Sequence, residues 1–263
     1  MKYLLIALIY PWVWLSTTAQ TPLINGHSHN DYAQERPLTE ALTYGFVSVE
    51  VDVHYLEGKF FVCHNHPKST EGLPTLEELY LDPLRERVLK NKGAVYPGYD
   101  GYFYLMIDLK TDGATCYAAL NQLLSQYPSL VAVWPSSIRV EHPVKVFLSG
   151  NRPAKQLLAD SIQYAGLDGR PNNLGRGIPA AVMPVVSQNY KRFLSWTGQG
   201  TVNPVQLKRF RQFVAQAHAE GKKVRLWDTP DKPELWTFLL AEGVDLINTD
   251  RLGAFSDYMN ATR

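Results

Sequence analysis

The sequence predicts an α/β fold, a single (β/α)8 TIM barrel over residues 20–263, and three observations lead there. The chain has 263 residues; setting aside a 19-residue leader leaves 244, which suits one large α/β domain and is too long for a small disulfide-stapled one. Alternating apolar runs take turns with runs at helical spacing. The residues with chemical potential gather where the apolar runs end, the place where barrels of this kind keep their chemistry.

Pro22 to Gly26 reads as a short apolar strand ending at His27. Arg36 to Tyr44 reads as a helix, with Leu38, Ala41 and Leu42 at helical spacing, Pro37 in the first turn and Gly45 past the end. Phe46 to Val53 alternates as a strand, Glu57-Gly58 turns, and Lys59 to Cys63 returns. Thr75-x-x-Glu78 has the form of a capping box opening a helix through Leu76, Leu79 and Leu81. Tyr102 to Leu109 is a strand, followed by a helix carrying Tyr117, Leu120, Leu123 and Leu124. Lys145 to Leu148 and Ala181 to Val186 are further strands, while Gly150 to Gly177 shows little periodicity. Asn203-Pro204 caps a helix with Leu207, Phe210, Phe213, Val214 and Ala217 on one face, ended by Gly221. Val224 to Trp227, a helix from Pro233 to Glu242, a strand from Val244 to Asn248 and a short terminal helix complete the order.

The leader is read from its own pattern. Lys2, the apolar run Tyr3 to Leu15 and the small residues Ser16 to Ala19 have the layout of a secretory signal peptide cleaved after Ala19. The run is short for a membrane span, which needs about 20 residues, so the expectation is a secreted or periplasmic protein with no transmembrane span after signal removal. The 26 basic and 25 acidic residues nearly cancel. Such a balance leaves no electrostatic footprint for nucleic acid or an anionic membrane. Cys63 and Cys116 are the only cysteines, enough for one disulfide and equally compatible with two free thiols.

The chemistry concentrates on a few strand ends. Side chains alternate along a strand, so Val49, Val51 and Val53 share one face and Ser48, Glu50, Asp52 and His54 the other. In a barrel the valines pack outward on helices and the acids point into the mouth. Two carboxylates roughly 7 Å apart on one face repel unless a cation lies between them, and an oxygen-rich site suits Ca2+ or Mg2+. Tyr104, Met106, Asp108 and Lys110 repeat the arrangement on another strand. Asp108 can complete a metal site, and Lys110 can either hold an anion as a point charge or pair within its turn with Asp112. His27, His29 and Asn30 follow the first strand, and His64 and His66 follow the hairpin. Two histidines beside a metal suit general base and general acid. His142 and His218 read as structural.

With these residues in view, the chain resembles the superfamily of phospholipase-C-like phosphodiesterases: glycerophosphodiester phosphodiesterases, the X domain of phosphoinositide phospholipases and sphingomyelinase D. Those barrels carry a His after strand one, a Glu-x-Asp on strand two, a His some 15 residues beyond that Glu and an acid on strand three. The matching positions are His29, Glu50-Val51-Asp52, His64 and Asp108, with the Glu-to-His spacing one residue shorter than usual. Ser28-His29-Asn30-Asp31-Tyr32 is similar to the Ser-His-Asn-x-Tyr run of the X domain, in which the His is catalytic and the Asn a metal ligand. His-Ser-His-Asn-Asp-Tyr, the Pro-Leu-x-x-Ala-Leu helix and Leu79-Tyr-Leu-Asp-Pro-Leu84 resemble the altered inheritance of mitochondria protein 6 subgroup. The His-Arg-Gly opening of glycerophosphodiesterases is absent.

The leader and the resemblance together point to an exported, metal-dependent phosphoric diester hydrolase, the resemblance implying a glycerophosphodiester or phospholipid-like small-molecule or lipid substrate. His29 and His64 would be catalytic; Glu50, Asp52, Asp108 and Asn30 would hold the divalent cation; Lys110, His27 and Trp227 would contact substrate. His27 competes with His29, because Gly26-His27-x-x-Asn30 also fits the sphingomyelinase D opening. Two alternatives stay open: a zinc-dependent amidohydrolase-type enzyme built on His27-x-His29, with Asp250 as a further ligand, and a non-catalytic exported binding barrel.

Overall fold

A computed structural model describes residues 20–133 and 142–262. The expected signal peptide, residues 1–19, lies outside the described residues. Among them, no helix is long and apolar enough to cross a membrane.

Eight parallel strands close into a barrel. They are β1 (Leu23–Ser28), β2 (Phe46–Leu56), β4 (Phe103–Leu109), β5 (Val144–Gly150), β6 (Gly166–Gly169), β7 (Val185–Asn189), β8 (Lys223–Trp227) and β9 (Leu246–Thr249), with β3 (Lys59–Val62) joined to β2 as an antiparallel hairpin. Neighbours run β1-β9-β8-β7-β6-β5-β4-β2, and a β1–β2 pairing closes the ring. Around it lie α1 (Thr39–Thr43), α2 (Asp82–Lys90), α3 (Gly113–Ser125), α4 (Ala154–Ala159), α5 (Pro204–Ala219), α6 (Pro233–Ala241) and α7 (Leu252–Ala261).

The pleat of the strands sorts side chains into two cores. The outward face puts Val49, Val51, Val53, Leu105, Ile107, Val146 and Leu148 against the helices in one large apolar cluster. The inward face carries a small apolar plug of Tyr104, Met106, Phe147, Val185 and Leu246. Two residues further along the same inward rows the chemistry turns polar: Asp108 follows Met106, Ser149 follows Phe147, Ser187 follows Val185 and Asn248 follows Leu246. The plug closes the barrel below, so the polar layer at the C-terminal ends can open only upward.

Local signals in the sequence have visible counterparts. Asn203 Oδ1 accepts the N–H groups of Val205 and Gln206 at the start of α5. Thr75 and Glu78 exchange the two hydrogen bonds of a capping box, although the turn they open, Glu77–Leu81, is π-helical before α2 begins. Three expectations are corrected. The helix expected from Arg36 starts only at Thr39, because the Asp31 carboxylate takes the Leu38 N–H at 2.6 Å and Leu38 adopts φ 58°. The strand expected from Ala181 starts at Val185, because the Pro179 carbonyl accepts the N–H groups of Val182 and Met183 in a tight turn. The weakly periodic stretch contains α4 and β6; β6 is Gly-Leu-Asp-Gly, too short and too rich in glycine to show alternation. Cys63 and Cys116 are free thiols, so the permitted disulfide does not form.

Candidate active site

A cavity of about 410 Å3 opens at the C-terminal end of the barrel, lined by residues from six of the eight strand ends and the hairpin. Among the lining residues are His29, Asn30, Glu50, His64, Asp108, Lys110 and Trp227, all of them expected at the site from sequence. A concavity of about 540 Å3 lies at the opposite end, lined by Tyr102, Tyr104, Lys145 and Lys223. It is the larger, but barrels of this kind place chemistry at the other face, and its Lys223 lies 3.7 Å from Asp245.

Register creates the acidic centre. Asp52 on β2 and Asp108 on β4 are directly paired Cα neighbours, and Glu50 sits two residues below Asp52 on the same face. One oxygen from each of the three carboxylates can be chosen so that all lie within 4.8 Å. Like charges so placed repel, and the protein answers with two cationic side chains. Lys110 Nζ lies 2.9 Å from both Asp52 Oδ2 and Asp108 Oδ1. Arg225 Nη2 lies 2.6 Å from Glu50 Oε2, with its Nε on Asn248 Oδ1 at 3.0 Å. Asp112 is not the partner of Lys110; it caps α3 through the Thr115 N–H. Burial pushes the Asp108 carboxyl up, and Lys110 only partly offsets it. Burial pulls Lys110 down, but Asp108 and Asp52 more than reverse that and leave it raised. Gly150 is required beside this centre: it has φ +65°, and a Cβ there would lie 2.4 Å from Asp108 Oδ1.

The donor set fits a hard divalent cation. Three carboxylates converge, and Asp52 Oδ1 is buried without a hydrogen-bond partner among the described residues. An orphaned carboxylate oxygen at zero exposure costs free energy unless a cation satisfies it.

Each cavity histidine is held through Nδ1. The hairpin brings His64 over Asp52: Cys63 N–H donates to the Asp52 carbonyl, and His64 Nδ1 meets Asp52 Oδ2 at 2.6 Å. Tyr32 Oη joins the same carboxylate oxygen at 2.8 Å and also reaches Asn30 Oδ1 at 3.2 Å. His29 Nδ1 lies 2.7 Å from Asp250 Oδ1 beyond β9. Burial lowers the His29 pKa, but the Asp250 hydrogen bond and the charges of Glu50 and Asp250 outweigh it, leaving it above the ordinary value. Asn30 sits in the left-handed region at φ 45°, which Asn tolerates, and the turn is anchored from beneath by Asp31. That carboxylate is fully buried and accepts from Ser28 Oγ, Tyr80 Oη and the Leu38 N–H.

His27 is corrected as a substrate contact. It is fully buried behind Glu50, with Nδ1 2.7 Å from Ser48 Oγ and Nε2 3.4 Å from Glu50 Oε2. Burial, then the charge of Arg225, holds its pKa well below the ordinary histidine value. His54 and His66 pack ring to ring on the hairpin, 5.4 Å apart. The zinc arrangement is also corrected: among the described residues the group able to converge on an ion is Glu50, Asp52 and Asp108, and neither His27 nor His29 belongs to it.

Sequence reading missed Arg225, Arg170, Tyr32 and Ser149. Arg225 was signalled by alternation, since Lys223, Arg225 and Trp227 share the inward face of β8. Arg170 follows β6, the unread strand, and is braced on the fully buried Asp168, Nη1 to Oδ2 at 2.6 Å. Ser149 and Ser187 bind the same carboxylate at 2.9 and 2.6 Å.

Residues 16–165, just over half the chain, match the AIM6-like phosphodiesterase domain. The chain belongs to the AIM6-like phosphodiesterase family. It is 29% identical to an altered inheritance of mitochondria protein 6 homolog of Arthroderma benhamiae, over 88% of this chain and 82% of that one. Identity to the altered inheritance of mitochondria protein 6 of Eremothecium gossypii is 30%, over 88% and 68%. In fold it is similar to a glycerophosphodiester phosphodiesterase from Parabacteroides distasonis, with TM-score 0.58, 14% identity and coverage of 92% and 100%. A phosphodiesterase from Oleispira antarctica, in complex with its product sn-glycerol 3-phosphate, aligns with TM-score 0.50 and 15% identity over 90% and 96%. The family membership makes this a phosphodiesterase and sets aside the non-catalytic barrel.

Proposed function

We propose that this protein is an exported, metal-dependent phosphoric diester hydrolase acting on a glycerophosphodiester or phospholipid-like substrate, with His29 and His64 as its general acid–base pair. The observation that carries the reading is that both imidazoles line one cavity around a three-carboxylate centre, each held at Nδ1 by a carboxylate. That leaves Nε2 of each ring to meet substrate. Glu50, Asp52, Asp108 and Asn30 would hold a divalent cation, Ca2+ or Mg2+, which would supply positive charge against the phosphodiester and favour ionisation of the attacking hydroxyl.

One imidazole withdraws the proton of the attacking hydroxyl and the other returns a proton to the leaving oxygen. Asp250 and Asp52 fix the tautomers and stabilise each ring when it is charged. Tyr32 holds Asp52, His64 and Asn30 in one arrangement. Arg170, which faces the cavity at the edge of its Asp168 brace, offers a guanidinium to the anionic substrate. Trp227, 38% exposed at the rim, gives the organic part of the substrate an apolar surface. Residues 1–19 direct export and are removed after Ala19.

The test is turnover of bis-p-nitrophenyl phosphate and of a phospholipid panel, with added Ca2+ or Mg2+ and with chelator. Activity is expected with metal only, and it is expected to fall on the order of 100-fold or more in His29→Ala and His64→Ala. Full activity in either variant, or in Glu50→Ala, overturns the assignment. Mass spectrometry of the exported protein beginning at Gln20 tests the leader.

A further inference from the structure

Lys110 is shared between two tasks. As a phosphate ligand its ammonium must face the cavity, yet two of its three N–H donors are directed at Asp52 and Asp108, each at 2.9 Å. Those carboxylates also belong to the group able to take a cation, and the orphaned oxygen Asp52 Oδ1 is the one Lys110 does not reach. The ammonium therefore stands in for part of the charge a cation would supply.

The charge count shows the consequence. At the centre three carboxylates face two cationic side chains, Lys110 and Arg225, for a net charge of minus one. Phosphodiesters are monoanions and are repelled by such a centre. A divalent cation brings it to plus one, the complement of the substrate. Arg225 is only 3% exposed and is held by Glu50 and Asn248. Lys110 is on the cavity wall, a quarter exposed, on a flexible four-carbon stem. It is the group free to swing.

We propose that Lys110 is a cation-gated phosphate ligand: it guards Asp52 and Asp108 until a divalent cation takes its place, then turns into the cavity to bind a phosphate oxygen. The inference rests on the cation site of the preceding reading and adds an order of events, cation first and phosphodiester second. It also makes Lys110 a competitor of the cation in the absence of substrate, the opposite of what a purely supporting residue does.

The test is calorimetric titration of Ca2+ or Mg2+ into the full chain and into Lys110→Met. With its competitor gone, the centre should bind cation at least about tenfold tighter, since two charge-assisted hydrogen bonds no longer need breaking. In the wild type, sn-glycerol 3-phosphate should bind tighter with saturating Ca2+ than with chelator, and Lys110→Met should lose most of that gain. Unchanged or weaker cation binding in the variant overturns the gating while leaving the cation site standing; no binding in either protein overturns both. Acetylation of Lys110 by acetic anhydride, read by peptide mass spectrometry on wild type, tests the swing without a variant. The rate should rise several-fold with Ca2+ and fall again with sn-glycerol 3-phosphate. A rate indifferent to Ca2+ overturns the proposal.

Discussion

Replacing Arg225 by Met removes one half of a buried ion pair and leaves the other half in place. Arg225 and Glu50 are 3% and 6% exposed, and their contact is 2.6 Å. Stranding one partner of such a pair costs about 3–5 kcal/mol. For a domain of this size that corresponds to a drop of roughly 6–20 °C in melting temperature. The loss also frees Asn248 Oδ1 from its bond to Arg225 Nε. Burial, and after it the Arg225 charge, holds the His27 pKa down, so removing that charge lifts only the smaller of these two restraints on its ionisation beside Glu50 at 3.4 Å. The double variant Arg225→Met/Glu50→Gln carries no stranded charge and should regain most of the stability, because neutral replacement of a buried pair is often close to neutral. Thermal melts and urea denaturation of the wild type, both single variants and the double variant form a closed cycle. A single-variant loss under about 1 kcal/mol, or a double variant no more stable than Arg225→Met, would refute the claim that these charges are buried and mutually dependent.

Three further perturbations have defined outcomes. Gly150→Ala should lose about 1–2 kcal/mol from its left-handed backbone and most of its turnover, because the new Cβ displaces the Asp108 carboxylate; unaltered kinetics would show that Asp108 need not lie there. In metal-free protein, NMR titration should find His29 ionising above 6.5, and Asp250→Asn should bring it down. Since the folded value is raised, the stability His29 contributes is fully present below the unfolded value and is lost as pH rises through the folded one; a wild-type His29 at or below 6.5 would contradict this. Tyr32→Phe should keep the fold and lower activity by loosening Asp52, His64 and Asn30 together, so equal kcat and KM in the variant would remove Tyr32 from the site.

What was legible in the sequence follows a physical line. The Glu50-x-Asp52 strand declared itself because its outward valines alternate without interruption for the helix-facing core. Asp108 and Lys110 were visible for the same reason on β4. Asp168 and Arg170 were not, since β6 spends two of its four positions on glycine and shows no apolar face. There, Gly166 and Gly169 leave no room for side chains beside Pro184 and Met183. His27 misled because burial is a tertiary property: the same residue type, two positions from His29, points beneath the site and reaches Ser48 across the strand pair. The partner of Lys110 was equally hidden. Asp112 is near in sequence, but Asp52, 58 positions away, is near in the barrel.

The run His27-Ser-His-Asn-Asp-Tyr32 shows how a barrel mouth divides its labour. Alternation puts His27 and His29 on the same inward face, but His27 lies a layer deeper, buried beside Glu50, and His29 just past the end of β1 reaches the cavity. Asn30 turns the chain through a left-handed residue, so Asp31 drops back into the wall while Tyr32 reaches across to Asp52. Asp31 is held by two hydroxyls and one N–H, the last of which sets where α1 begins. Those bonds do not fully cover burial, which keeps its carboxyl raised. Its contribution is therefore to fix the loop that aims His29, Asn30 and Tyr32. A structural acid one residue from the candidate ligand Asn30 resembles a metal-binding acid in sequence. Only the path of the backbone between them separates the two roles.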